Sequence, residues 1–84
     1  MKVHVRYFAS VREALGTGSE EFETGAATLA ALRDELIARG GDYATALARG
    51  RAVRMALDQV MMSTENAALR EACEVAFFPP VTGG

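Results

Sequence analysis

The residues with the most chemical potential are the last eight, Phe77-Phe78-Pro79-Pro80-Val81-Thr82-Gly83-Gly84. Gly83 and Gly84 carry no side chains, so a nucleotide, a nucleophile or an enzyme wall can approach the terminal carbonyl with no Cβ in the way. A terminal carboxylate with a pKa of about 3.5 is ionised at neutral pH and is a poor acyl donor until it becomes a mixed anhydride or a thioacid. Activation by a partner is therefore implied. Pro79 and Pro80 have no N–H to give to a sheet and bias their predecessors toward extended backbone, so strand pairing stops at Phe78 and the chain leaves straight. Beyond Pro80, four residues reach about 13 Å, enough to enter a narrow cleft. A Gly-Gly end taken alone reads as an ordinary frayed terminus. The weight shifts because an apolar strand, a Pro-Pro stiffener and a side-chain-free end coincide.

Little other chemistry is encoded. His4 and Cys73 are the only histidine and the only cysteine; His4 reads as a solvated strand residue and Cys73 as a small apolar one. No metal site is expected, because zinc would need further His or Cys ligands and the carboxylates lack metal-loop spacing. Gly16-Thr17-Gly18 is too short for a dinucleotide fingerprint and there is no phosphate loop, so any nucleotide belongs to a partner. No catalytic residue of the chain's own is expected.

The 84 residues suit one small domain, half of them apolar, with a net charge of −2 and mixed signs. That balance argues against a nucleic-acid module and a polybasic membrane anchor. Arg49, Arg51 and Arg54 form the one basic cluster and read as a solvated surface. With no signal-peptide pattern and no apolar run long enough for a membrane span, a cytoplasmic location is expected.

The elements that must position the tail follow from periodicity. Residues 2–8 alternate as a half-buried strand, with Phe8 the odd member of the polar face. Ser10 and Glu13 fit a capping box for a two-turn helix closed by Gly16. Residues 19–24 read as an acidic edge strand whose apolar content is Phe22. Thr28 is placed to cap the main helix, with Leu29, Leu32, Leu36 and Ile37 inward and Arg33, Asp34 and Glu35 outward, ending at Gly40-Gly41. Asp42 is placed to cap a further turn, with Tyr43, Ala46 and Leu47 inward and Gly50 as terminator. Strands are expected over residues 52–57 and 60–62, with the methionines as core filler. A connection with a helical turn at residues 66–70 leads to the last strand, Glu74–Phe78, whose Val75 and Phe77 should face the helix. Ala76 and Phe78 then lie on the opposite face, where Phe8 would complete an apolar docking patch. The order β, short α, β, long α, β, β, β gives an α+β class with a helix across one sheet face.

The tail resembles the FFPPVTGG-like ends of the small, sulfur-carrying subunits of molybdopterin synthase, members of the ubiquitin-like β-grasp superfamily. Val5-Arg6-Tyr7-Phe8-Ala9-Ser10-Val11-Arg12-Glu13 is similar to that family's first strand and helix. The resemblance implies a β-grasp domain over residues 1–80, a mixed sheet of about five strands with one main helix on one face, and a projecting tail of residues 81–84. It implies that a ubiquitin-activating-like enzyme uses ATP to adenylate Gly84, which becomes a thiocarboxylate, and that no cofactor is held stably. Val81, Thr82, Gly83 and Gly84 would thread into the synthase large subunit, with Phe8, Phe78, Pro79 and Pro80 docking on it. The assembly would be a heterotetramer of two small and two large subunits, and the sulfur acceptor cyclic pyranopterin monophosphate. A β-grasp carrier serving thiamine, tRNA or cysteine pathways, or a ubiquitin-like modifier of lysines, is the alternative. Two features depart from the family pattern: Ala72-Cys73 replaces a Gly-Asp turn, and Asp58 an Asn.

Overall fold

In β1 (Lys2–Tyr7) the expected alternation holds at every position, with Val3, Val5 and Tyr7 buried and Lys2, His4 and Arg6 exposed. The computed structural model describes residues 1–80; the four residues expected to form the tail lie outside the described residues. Together with β2 (Ser19–Glu23), β3 (Arg54–Leu57), β4 (Val60–Met62) and β5 (Glu74–Phe78), β1 forms a five-stranded sheet in the order β2-β1-β5-β3-β4. β5 runs parallel to β1 and antiparallel to β3, and the outer pairs are antiparallel. β2 is an edge strand, as its acidic composition predicts.

Three helices accompany the sheet: α1 (Ala9–Leu15), α2 (Leu29–Ile37) and α3 (Gly41–Ala46). Thr28 caps α2, its hydroxyl accepting from the Ala31 N–H at 3.2 Å. Leu29, Leu32 and Leu36 of α2 bury one stripe in a core shared with Val3, Val5, Tyr7, Val75 and Phe77. This is the mixed sheet and crossing helix of a β-grasp.

Several local expectations are corrected. Phe8, not Ser10, is the N-cap of α1, and no side chain caps it, so the capping box does not form; Gly16 does close the helix in the left-handed conformation. Gly40 stands at the N-cap of α3 and Asp42 lies in its first turn. α3 ends at Ala46, before Gly50. Residues 66–70 hold no helical turn; Ala68 forms an isolated bridge with Thr28 instead, pinning the loop to the start of α2. Met55 is core, whereas Met61 is 61% exposed on the edge strand β4.

The largest correction is Arg33, which is only 3% exposed. It stands four residues after Leu29 and three before Leu36, on the buried stripe itself. Its guanidinium donates to the carbonyls of Leu47 and Ala48 at 2.8 Å each, and to Glu65 at 3.3 Å. Those bonds satisfy carbonyls at the end of α3 that a helix terminus leaves without partners. Arg49, expected to be solvated, bridges Asp34 and Glu65 and also donates to the Ala30 carbonyl.

A second polar node fixes the end of β1. The Glu20 carboxylate accepts from the hydroxyls of Tyr7 at 2.9 Å and Tyr43 at 2.6 Å, and from Arg39 at 3.0 Å. The Arg39 guanidinium lies over the rings of Phe22 and Tyr43. Partial burial works against ionisation of Glu20, yet the bonds from Tyr43, Arg39 and Tyr7 outweigh it and hold the carboxyl below its ordinary 4.5. Burial, reinforced by the bond to Glu20, pushes the Tyr7 phenol far above its usual range.

The two departures from the family pattern both fall on left-handed backbone. Asp58 (φ 50) and Gln59 (φ 69) form the two-residue turn joining β3 to β4, and Ala72 (φ 64) precedes β5. Asp58 compensates through its carboxylate, which accepts from the Glu74 N–H at 2.9 Å and from Arg70 at 2.7 Å.

Replacement of Ala72 by glycine should raise stability by about 0.5–1 kcal/mol in urea unfolding, since a Cβ is unfavourable at this φ. A loss would show that the chain has relaxed around alanine. Glu20→Gln should cost about 1–3 kcal/mol at pH 7, because Arg39 and the two phenols lose their shared acceptor. As Glu20 titrates below its unfolded value in the folded chain, the ionised network's contribution is complete above pH 4.5 and is lost as pH falls through the lower folded value. Stability measured from pH 7 to pH 3 should therefore converge for the two proteins; a constant gap would place the effect elsewhere.

Candidate functional site

Pro79 and Pro80 follow the middle strand of the sheet, β5. Phe77 is fully buried and stacks on Tyr7, with ring centroids 6.1 Å apart and planes 20° from parallel. Burying such a side chain contributes about 1.5–3 kcal/mol, so Phe77 anchors the strand one residue before its end. Its carbonyl accepts from the Phe8 N–H at 3.1 Å. Phe78 closes the ladder opposite Arg54, and Pro79 and Pro80 follow outside the strand, both half-buried. The prolines thus end pairing where their missing N–H groups require.

Around this exit the structure brings together most of the expected docking residues. Phe8 is 40% exposed just past the end of β1, beside Phe78 in the parallel register, and the Arg6 guanidinium lies 5.3 Å from the centre of its ring. Phe78 is half-buried. Ala76 does not contribute exposed surface; flanked by Arg6 on β1 and Ala56 on β3, its short methyl lies buried between neighbours although it is on the open face. The apolar surface extends farther than expected along this row, because Ala56 is paired with Met61 and brings that exposed side chain onto the same face. The two-residue turn at Asp58-Gln59 sets that register, and reading it as a hairpin would have revealed Met61 in the sequence. Val81, Thr82, Gly83 and Gly84 lie outside the described residues.

Pro79 also borders a cleft of about 280 Å³ lined by Val11 and Ala14 of α1, Ala46 of α3 and the segment Arg51 to Val53. Arg51 and Arg54 are exposed, as expected, at the side of the sheet where the chain leaves β5.

The two candidate nucleophile or base residues are not brought together. The Cys73 side chain belongs to the buried core, whereas the His4 side chain is on the open face, 3.7 Å from Glu21. Only backbone joins them: the His4 N–H donates to the Cys73 carbonyl. Among the described residues no group of three or more His, Cys, Asp or Glu is placed to hold a metal ion, and no helix is long and apolar enough to cross a membrane. What the arrangement offers is a central strand, anchored by Phe77, that ends beside an apolar surface.

Comparison with known proteins agrees with this geometry. The chain is 39% identical over 82 residues to the molybdopterin synthase sulfur carrier subunit of Haemophilus influenzae, covering 98% of this chain and 99% of that one. Among solved structures, a putative molybdopterin converting factor subunit 1 from Pyrococcus furiosus superposes with a TM-score of 0.78 at 25% identity, over 96% of this chain and 99% of the other. A chain from the complex of subunits 1 and 2 of the molybdopterin-converting factor of Helicobacter pylori superposes with a TM-score of 0.70 at 24% identity, over the full length of both. The sequence profile of the ThiS family matches residues 5–84, and the chain belongs to that family.

Proposed function

We propose that this protein is the sulfur carrier of molybdenum-cofactor biosynthesis and that its reactive group is the carboxyl of Gly84. The observation that carries this reading is the near-full-length likeness to a subunit of that name, joined to a central strand that ends in Pro79-Pro80 beside an apolar face. An activating enzyme supplies the ATP: the Gly84 carboxylate attacks the α-phosphorus, pyrophosphate leaves, and a nucleophile at the hydrosulfide level then displaces AMP to leave a thiocarboxylate. Sulfur is larger, softer and less hydrated than oxygen, so the thiocarboxylate attacks where the carboxylate does not. The acceptor is cyclic pyranopterin monophosphate, held by the synthase large subunit in a heterotetramer of two small and two large subunits in the cytoplasm.

This chain's own residues bind and aim. Phe77 and Tyr7 fix the origin of the tail, and the prolines direct it away from the sheet. Phe8, Phe78, Pro79 and Pro80, with Met61, form the docking surface, while Val81 to Gly84 occupy the partner's cleft. The chain holds no cofactor of its own. Its rigidity matters because small displacements of a reacting atom are costly.

Intact-mass measurement after incubation with an activating enzyme, ATP and a sulfur donor should show replacement of one oxygen by sulfur. The product should discharge onto the pyranopterin acceptor only when the large subunit is present; discharge onto lysines instead would identify a protein modifier. Appending one alanine after Gly84 should leave thermal unfolding unchanged and abolish sulfur incorporation, since it displaces the carboxylate and puts a Cβ beside it; equal incorporation would refute a role for the terminal glycine pair. Phe78→Ser should weaken binding to the large subunit in calorimetry, with a smaller effect on melting temperature than Phe77→Ser. The reverse order would show that the face assignment does not describe the docking surface.

A further inference from the structure

The nine basic side chains divide sharply by position. Lys2, Arg33, Arg39, Arg49 and Arg70 each pair with a carboxylate. Arg6, Arg12, Arg51 and Arg54 have no ion-pair partner among the described residues, and all four lie at the end of the sheet where the tail departs. The topology puts them there: β1 and β5 are parallel and finish together, while β3, antiparallel to β5, begins at that end. Arg6 is in the last turn of the β1 pleat, over Phe8. Arg12 is on α1 directly after β1, its guanidinium against Gly18. Arg51 borders the cleft beside Pro79, and Arg54 pairs with Phe78 in the ladder. Glu13 is the acidic residue of α1, and the four arginines outnumber it in a collar beside the exit, in a chain whose net charge is −2.

We infer that this collar recognises carboxylates on the rim of the partner cleft that receives the tail. The inference rests on the function proposed above and adds the chemistry of the mouth. Under that function the tail carries negative charge at its tip, about 13 Å beyond the collar if extended, so its two ends have opposite sign. A complementary cleft is positive at depth and acidic at its rim, and this pattern sets both the direction and the depth of insertion. A protein fits the surface better than a nucleic acid, because the collar encloses Phe8, Phe78 and Pro79, an apolar centre that a phosphate backbone would leave uncovered. Unpaired arginines at the edge of an apolar patch steer encounter and fix register without the cost of deep desolvation.

The test is binding of the full chain to the synthase large subunit by calorimetry at about 50 mM and about 500 mM NaCl, where the screening length falls several-fold. Arg51→Glu with Arg54→Glu should weaken binding at least about tenfold at low salt, and the difference should shrink at high salt. Lys2→Glu with Thr45→Glu and Asn66→Glu, all exposed positions away from the collar, changes the net charge equally and should stay within about twofold. Arg51→Gln with Arg54→Gln should fall between, which separates lost attraction from introduced repulsion. Equal weakening by the two charge-matched sets, or no effect of salt on the unaltered chain, overturns the collar. Binding of bulk tRNA by the unaltered chain, lost on reversal of Arg51 and Arg54, would overturn it in favour of a polyanion site. Failure of the unaltered chain to bind the large subunit at either salt would instead sink the proposed function and the collar with it.

Discussion

The parallel pairing of β1 with β5 is the constraint on which the rest depends. It places β5 in the middle of the sheet, with a partner on each side, so Pro79 and Pro80 follow a strand held on both sides rather than an edge. A parallel pair cannot be joined by a tight turn, so the chain must cross over between them, and here everything from α1 to the loop before β5 makes that crossing. The helix α2 lies across the face so created and buries Val75 and Phe77. The tail's origin is therefore a property of the whole fold.

Two polar nodes hold this arrangement at its weak points. Arg33 ties α2 to the end of α3 and to the loop around Glu65 through bonds to Leu47, Ala48 and Glu65. Removing one partner from such a site leaves buried groups unsatisfied, which costs more than the net gain of the bonds themselves. Glu20 does comparable work at the other side, joining β2 to Tyr7 of β1 and to Tyr43 of α3. Tyr7 is thus held at its hydroxyl by Glu20 and at its ring by Phe77, and the next residue along the chain is Phe8. Phe8 is therefore positioned by a neighbouring side chain whose hydroxyl end is fixed in a charged network.

The two faces of the sheet carry different sets of residues. Residues facing α2 supply rigidity; residues on the open face, Phe8, Phe78 and Met61 with the arginines around the exit, supply surface. A single change of strand register would exchange the two sets, because side chains alternate with a period of two. The clip formed by Asp58 with the Glu74 N–H and Arg70 holds the β3–β4 turn against the start of β5 and so protects that register.

Much of this was legible in the sequence where a local rule acts alone. Alternation assigned the faces of β1 and β5, Thr28 and Gly16 marked a helix start and a helix end, the acidic composition of β2 put it at an edge, and the paired prolines marked where pairing stops. The family resemblance supplied the β-grasp topology, which no local pattern contains. What tertiary structure alone decided were the places where a distant group competes with a local preference. Ser10 lost its capping role because the hydrogen bond between Phe8 and Phe77 places the helix start two residues earlier. Residues 66–70 stayed extended because Ala68 pairs with Thr28. Arg33 sits on the apolar stripe by spacing, but whether a charge there is buried depends on carbonyls fourteen and fifteen residues away that turn toward it. Ala72 adopts a backbone angle that alanine resists because the loop must close onto β5. The separation of paired from unpaired arginines is of the same kind: composition counts charges, and only the fold determines which of them find a partner.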